Sequence, residues 1–174
     1  SLRRILRPDI VRDDKWFGGF DFGWMDTGRE LFYAFDGGVH VPMLINWDFV
    51  SKSSLTKLED LSKPEFAGKI VWYDPRVVGA GSGTSHVISK NMDADKLAAV
   101  YKNNVTYTTK LHQMAEWIVR GRHPIAIGIE DSDLLEFRAQ GLGKNIGPMP
   151  DSAWKVWQIS VAFGAVGIVD RAPH

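Results

Sequence analysis

The stretch from Lys69 to Ser85, KIVWYDPRVVGAGSGTS, constrains the chain more than any other. Its apolar run Ile70, Val71, Trp72 and Tyr73 reads as a buried strand that ends at the turn signal Asp74-Pro75. Gly79, Gly81 and Gly83 follow, with Ser82, Thr84 and Ser85 between and after them. His86 to Lys90 can start a helix, for which Ser82 or Thr84 is the N-cap candidate. A strand that delivers small residues to a helix N-terminus creates an anion site. The first-turn N–H groups there lack intrahelical partners, and the helix dipole favours negative charge. The segment is not a Walker A motif, because no Lys-Ser/Thr pair closes it, and Thr84 stands where a dinucleotide fingerprint has its third small residue. Taken alone, a plain strand-to-helix turn explains the glycines as well as an anion site does.

Around this stretch the pattern alternates between periods. Glu30 to Asp36 is dense in β-formers, and after Gly37-Gly38 the apolar positions 39, 41, 43, 45 and 47 recur with period two, a second strand that Pro42 places at an edge or makes a crossing segment. Residues 1 to 15 read as a short helix and a connector interrupted at Pro8. Ser51 to Ser62 reads as a turn and a short helix with Ser53, Ser54 or Thr56 as caps. Beyond the glycines come a helix at 93–103 capped by Asp93, a strand at Val105 to Thr109, and a helix at 110–120 with Leu111, Met114, Ala115 and Ile118 on one face and Gly121 closing it. Pro124 to Ile129 is a buried strand, Asp131 or Ser132 caps a helix that runs to Gln140, and Asn145 to Met149 and Gln158 to Val169 are further strands. Strand and helix in alternation predict an α/β fold with a mostly parallel core sheet. Ligands in such sheets lie beyond the carboxyl ends of the strands, where the glycine segment and Glu130-Asp131-Ser132 both fall.

Composition narrows the class. Lys plus Arg and Asp plus Glu are 21 each, so the net charge of zero gives no footprint for nucleic acid or an anionic membrane. The absence of cysteine excludes disulfides, thiolate metal sites and thiol nucleophiles. His40, His86, His112, His123 and His174 show no metal-ligand spacing, and no Ser lies in a nucleophile elbow. No metal or cofactor is therefore expected. No apolar run approaches the ~20 residues of a membrane span. Ser1 at the start and Arg171-Ala-Pro-His174 at the end are expected of a processed product or a cloned domain.

Three segments together resemble a known family. Leu58-Glu59-Asp60-Leu61-Ser62-Lys63-Pro64-Glu65-Phe66-Ala67-Gly68-Lys69-Ile70, then Asp74-Pro75-Arg76 with Gly81-Ser82-Gly83, is similar to the second-lobe opening of type II periplasmic solute-binding proteins of ABC importers. The nearest branch is that of ferric-iron and small-anion binders. Val39 to Asp48 resembles the strand crossing into that lobe, Ala115 to Gly128 its helix-strand pair, and Ala172-Pro173-His174 the start of the next first-lobe helix. The resemblance implies a periplasmic-binding-protein lobe: a mixed, mostly parallel sheet flanked by helices, with crossing strands to a partial first lobe. Residues 1–45 would be a first-lobe segment and crossing strand, 46–157 the inserted second lobe, and 158–174 the return strand. The family is roughly twice this length.

The same resemblance implies a solute receptor, not an enzyme, that works in the periplasm or tethered outside the cell. It would be a monomer that delivers a small polar or anionic ligand, a metal chelate among the options, to a membrane permease. It carries ligand contact onto Gly81, Ser82, Gly83 and Thr84, a ligand-facing or hinge role onto Asn46, and a place on the first-lobe cleft wall onto Trp24 and Asp26. Arg76 is a candidate for bidentate pairing with an anion, against a surface salt bridge. Asp131 is a candidate ligand or hinge contact, against a helix cap. Iron binders of the family use adjacent tyrosines; Tyr33, Tyr73, Tyr101 and Tyr107 are not adjacent, which argues against phenolate-held iron. Two other classes stay open: a small hydrolase with the glycine segment as its oxyanion site, and the effector-sensing domain of a transcriptional regulator.

Overall fold

A computed structural model of the chain describes residues 2–3, 12, 14, 19–40, 43–78, 80–149 and 158–171. The expectations for the Pro8 break, Trp16 to Gly18, Pro42, Gly79 and Ala172 to His174 lie outside these residues. The strands are β1 (Leu2–Arg3), β2 (Phe32–His40), β3 (Met43–Asn46), β4 (Ile70–Tyr73), β5 (Thr106–Thr108), β6 (Ile125–Ile127), β7 (Ile146–Gly147) and β8 (Gln158–Val169). The α-helices are α1 (Ala80–Asn91), α2 (Ala94–Lys102), α3 (Leu111–Val119) and α4 (Leu135–Ala139). No described helix is long and apolar enough to cross a membrane.

The chain divides into two compact units, Ser1–Val39 with Ile159–His174, and His40–Gln158. The first contains a three-stranded sheet in the order β1-β8-β2, with Leu2 opposite Val169 and Arg3 opposite Ile168 in antiparallel register. Leu2-Arg3 is therefore strand where the sequence suggested a helix. β2 runs without interruption through Gly37-Gly38, which the sequence reading took as a break.

The second unit is built on a mixed sheet in the order β5-β4-β6-β3-β7. β4 pairs in parallel with β5 and with β6, whereas β3 runs antiparallel to β6 and to β7. Side chains alternate faces along a strand. Ile70, Trp72, Met43, Ile45, Ile125 and Ile127 pack on one face with Ile88 of α1 and Val100 of α2. Val71, Leu44 and Ala126 pack on the other with Met114, Ala115 and Ile118 of α3. With helices on both faces, Met43, Leu44, Ile45 and Asn46 are all buried, and β3 is interior, not an edge strand. The continuous Met43-Leu44-Ile45 run, rather than its period-two subset, was the meaningful signal. Each large aliphatic side chain buried here contributes about 1.5–3 kcal/mol.

The helix ends follow from local chemistry. Asp93 accepts the Asp95 N–H (3.4 Å) to cap α2, as its sequence suggested. α3 closes through Gly121 at φ +71°: the Gly121 N–H donates to the Ile118 carbonyl and the Arg122 N–H to the Trp117 carbonyl. Three cap assignments change. α1 begins at Ala80, so Ser82 and Thr84 lie within its first turns rather than at its N-cap. The short 3-10 turn at Leu58–Ser62 is held by Asp60, whose carboxylate accepts the Thr56 and Lys57 N–H groups, and not by Ser53, Ser54 or Thr56. Glu130, not Asp131 or Ser132, is the capping position before the 3-10 turn Asp131–Leu134 and α4; Asp133 accepts its N–H at 2.9 Å.

Candidate functional site

The registers fix which ends of the strands share an edge. β4 ends at Tyr73 beside Thr108 of β5, and Trp72 is level with Ile127 of β6, which stands opposite Met43 at the start of β3. The carboxyl ends of β4, β5 and β6 therefore form one edge. α1 and α3 both begin there, following β4 and β5 directly. Their first-turn N–H groups are unspent by the helices themselves.

Gly81 sets how closely α1 approaches that edge. A Cβ at this position would collide with the Tyr73 carbonyl oxygen and reach 2.8 Å from that of Asp74. Only glycine lets the first turn of α1 lie on the end of β4. Three residues later Thr84 is buried, 4% exposed. Ser85 Oγ donates to the Gly81 carbonyl at 2.7 Å, bracing the turn from within. Gly83 belongs to the same turn. The edge thus presents backbone N–H groups beside Thr84, an arrangement that suits an anionic or strongly polar group.

Arg76 lies just beyond β4, and its guanidinium is already engaged. Nε and Nη2 donate to the two Asp74 oxygens at 2.8 and 2.7 Å, and the Arg76 N–H adds a third bond to that carboxylate. These bonds hold Asp74 down at about 2. A ligand that took Arg76 would have to displace its own neighbour. Burial lifts the phenol of Tyr107 on β5, as does the neighbouring Tyr101 phenol, while Arg76 pulls it down. Burial also lifts Tyr101, so both phenols resist the phenolate form. The sequence reading did not single out this Asp74–Arg76–Tyr107 group; the Thr-Tyr-Thr alternation of an edge strand was the available signal.

The other candidates separate. Asp131 accepts from Arg138 Nη2 at 2.6 Å, a surface ion pair that occupies it. Asn46 is at the opposite edge, 2% exposed, with Nδ2 donating to the Ile118 carbonyl at 2.8 Å and Oδ1 accepting the Asp48 N–H. Its side chain closes the C-terminus of α3, so it does not face the Gly81–Thr84 edge. Trp24 and Asp26 belong to the first unit. Trp24 packs edge-on against Phe20 and Tyr33, and Asp26 organises a turn. Its carboxylate accepts the Phe32, Leu31 and Glu30 N–H groups, and these bonds hold it below the usual carboxylate range. Among the described residues no group of three or more His, Asp or Glu side chains is placed to hold a metal.

No family model matches the sequence, and no curated protein sequence matches it. Solved structures do. The periplasmic binding protein AfuA from Actinobacillus pleuropneumoniae, solved with fructose-6-phosphate bound, aligns at 22% identity and TM-score 0.61, over 98% of this chain and 52% of its own. A Trichodesmium protein, IdiA or FutA, in complex with iron and citrate aligns at 17% identity and TM-score 0.61, over 99% of this chain and 54% of its own. A protein described as a two-component system protein mediating signal transduction aligns at 15% identity and TM-score 0.64, over 99% and 56%. The chain spans about half the length of the solved structures it matches. Its fold is that of the type II periplasmic binding proteins.

Proposed function

We propose that this chain is the ligand-capturing part of a solute receptor for an ABC importer, and that the carboxyl edge of the β5-β4-β6 strands carries its share of the ligand site. The observation that carries this reading is the first turn of α1, seated on the end of β4 through Gly81, with Thr84 buried three residues on. The ligand is small and polar or anionic, held by N–H groups and Thr84, with Ser82 and Gly83 in the same turn. The AfuA and IdiA structures, bound to a sugar phosphate and to iron with citrate, support anionic ligands of this size. The receptor acts outside the cytoplasmic membrane and hands its ligand to a permease. It binds without turnover.

A second reading shares the capture step but not the outcome. The likeness to a two-component signalling protein favours an effector-sensing domain, in which the same edge reads the ligand for a signal rather than for transport.

A thermal-shift panel tests the site. It should contain inorganic phosphate, sulfate, citrate, ferric citrate and fructose-6-phosphate, measured on the chain and on the Ser82→Ala plus Thr84→Ala variant. A ligand at a hundred times its Kd adds about 2.7 kcal/mol of stability. The expected result is a response to at least one anion that the double variant loses. A response that survives in the variant removes the ligand from this edge, and silence across the panel ends the anion reading.

A further inference from the structure

The unit His40–Gln158 has a second recess, at the edge of its sheet away from the Gly81–Thr84 turn. β3 ends at Asn46, and the chain turns through Trp47 beside β7. Trp47, Lys52, Lys144, Asn145, Ile146 and Gly147 line a groove of about 400 Å³ there. That volume falls within the range of small-molecule sites, roughly 300–1,000 Å³.

The lining is one-sided in its chemistry. Lys52 and Lys144 have no carboxylate within ion-pair distance among the described residues. Lys52 Nζ stands 5.8 Å from the Trp47 ring centroid, over its face. The indole Nε1–H has no hydrogen-bond acceptor among the described residues and lies 4.0 Å from where a Cβ on Gly147 would be. Two ammonium groups and an indole N–H are donors only. Asp48, the nearest acid in sequence, is turned to Asn145, whose Nδ2 donates to it at 2.6 Å; Asn145 Oδ1 is left as the side-chain acceptor of the groove. Ile146 and the indole supply an apolar wall.

We propose that this groove is a separate binding site for a small organic anion, a carboxylate or phosphate borne on a flat or apolar body. The anionic oxygens sit between Lys52, Lys144 and the indole N–H, and the body rests on Trp47 and Ile146. A peptide brings backbone N–H donors as well as acceptors, and a lining with three donors and one side-chain acceptor leaves those donors unanswered. An acceptor-only group answers all three.

Indole N–H resonances in ¹⁵N-edited NMR test this directly. The chain has seven tryptophans, and Trp47→Phe identifies the peak that belongs to Trp47. Phenyl phosphate is the probe, with inorganic phosphate and a Glu-rich peptide as comparators. The Trp47 peak should move saturably with phenyl phosphate. Lys52→Ala and Lys144→Ala, both at exposed positions, should each weaken that response roughly tenfold, the value of one charge-assisted hydrogen bond, and Lys→Arg should keep most of it. A Trp47 peak that stays still sinks the proposal, and so does a response undiminished in the double lysine variant. Inorganic phosphate matching phenyl phosphate removes the apolar wall from the site. The peptide acting at lower concentration than phenyl phosphate makes the groove a protein-docking face instead.

Discussion

The two edges of the sheet in His40–Gln158 meet opposite ends of helices and behave differently. At one edge α1 and α3 begin, and their first-turn N–H groups are left open. At the other, helix ends are sealed: Asn104, Gly121 and Gly141 follow α2, α3 and α4 in left-handed conformation at φ +55°, +71° and +78°. Asn103 Nδ2 donates to the Leu61 and Lys63 carbonyls, and Asn46 Nδ2 to that of Ile118. Amide side chains at the sealed edge answer the protein's own backbone, whereas the first-turn N–H groups of α1 and α3 at the open edge have no acceptor within their helices. Polar burial therefore separates structural duty from binding duty only when the partner of each atom is traced.

The largest expected effect would break a simple version of this contrast. Gly81→Val at the open edge should cost about 3 kcal/mol, because its side chain meets β4 backbone, which cannot yield as a flexible side chain would. Urea melts would check it; a cost under about 1 kcal/mol would mean that α1 is free to lift off β4.

A pair of substitutions sharpens the contrast. Asn46→Leu strands the Ile118 carbonyl and should cost about 2 kcal/mol. Thr84→Val keeps the shape, deletes only the hydroxyl, and should leave the stability of the free protein within about 0.5 kcal/mol. If Thr84→Val destabilises as much as Asn46→Leu, the hydroxyl has a structural task and the binding reading fails.

The smallest effect is a matter of pH. His123, at the sealed edge, is buried against Trp117, with Nδ1 3.0 Å from the Gly68 carbonyl and Nε2 unpartnered among the described residues. Burial pulls its pKa below the usual 6.5, so the unfolded chain takes up a proton before the folded one does. The stability contributed by neutral His123 is full above 6.5 and drains as pH falls through that value toward the folded pKa. Asp74, at the open edge, has its pKa lowered from 3.8 to about 2, and its contribution is full above 3.8 and lost only as pH falls toward 2. Thermal melts between these windows should show His123→Gln flattening the upper slope and leaving the lower one. A slope unchanged by His123→Gln would place the titration elsewhere.

What could be read in advance follows from how local each determinant is. α2 and α3 were legible because their apolar spacing, the Asp93 cap and Gly121 all lie within one helix length. β4 and β6 were legible as unbroken apolar runs. The start of α1 was not, because glycine and serine are poor helix formers and packing on β4 overrides their preference. The duty of Asn46 was hidden for another reason: its hydrogen bond reaches Ile118, far along the chain, and no local pattern announces such a partner. Of the candidate site, the Gly81–Thr84 turn at a strand's carboxyl end could be read from the sequence. The engagement of Arg76 by Asp74 could not, since an Asp-Pro-Arg turn leaves the arginine rotamer open.

One pairing bears on the order in which the chain folds during synthesis. His40–Gln158 is a single continuous segment, whereas the other unit needs both Ser1–Val39 and Ile159–His174. Among the described residues Leu2 finds its sheet partner in Val169. On a ribosome that delivers residues in sequence, the middle of the chain can close its core while the first strand waits. The interval is a window in which a chaperone, or a second nascent copy, meets an unpaired β1.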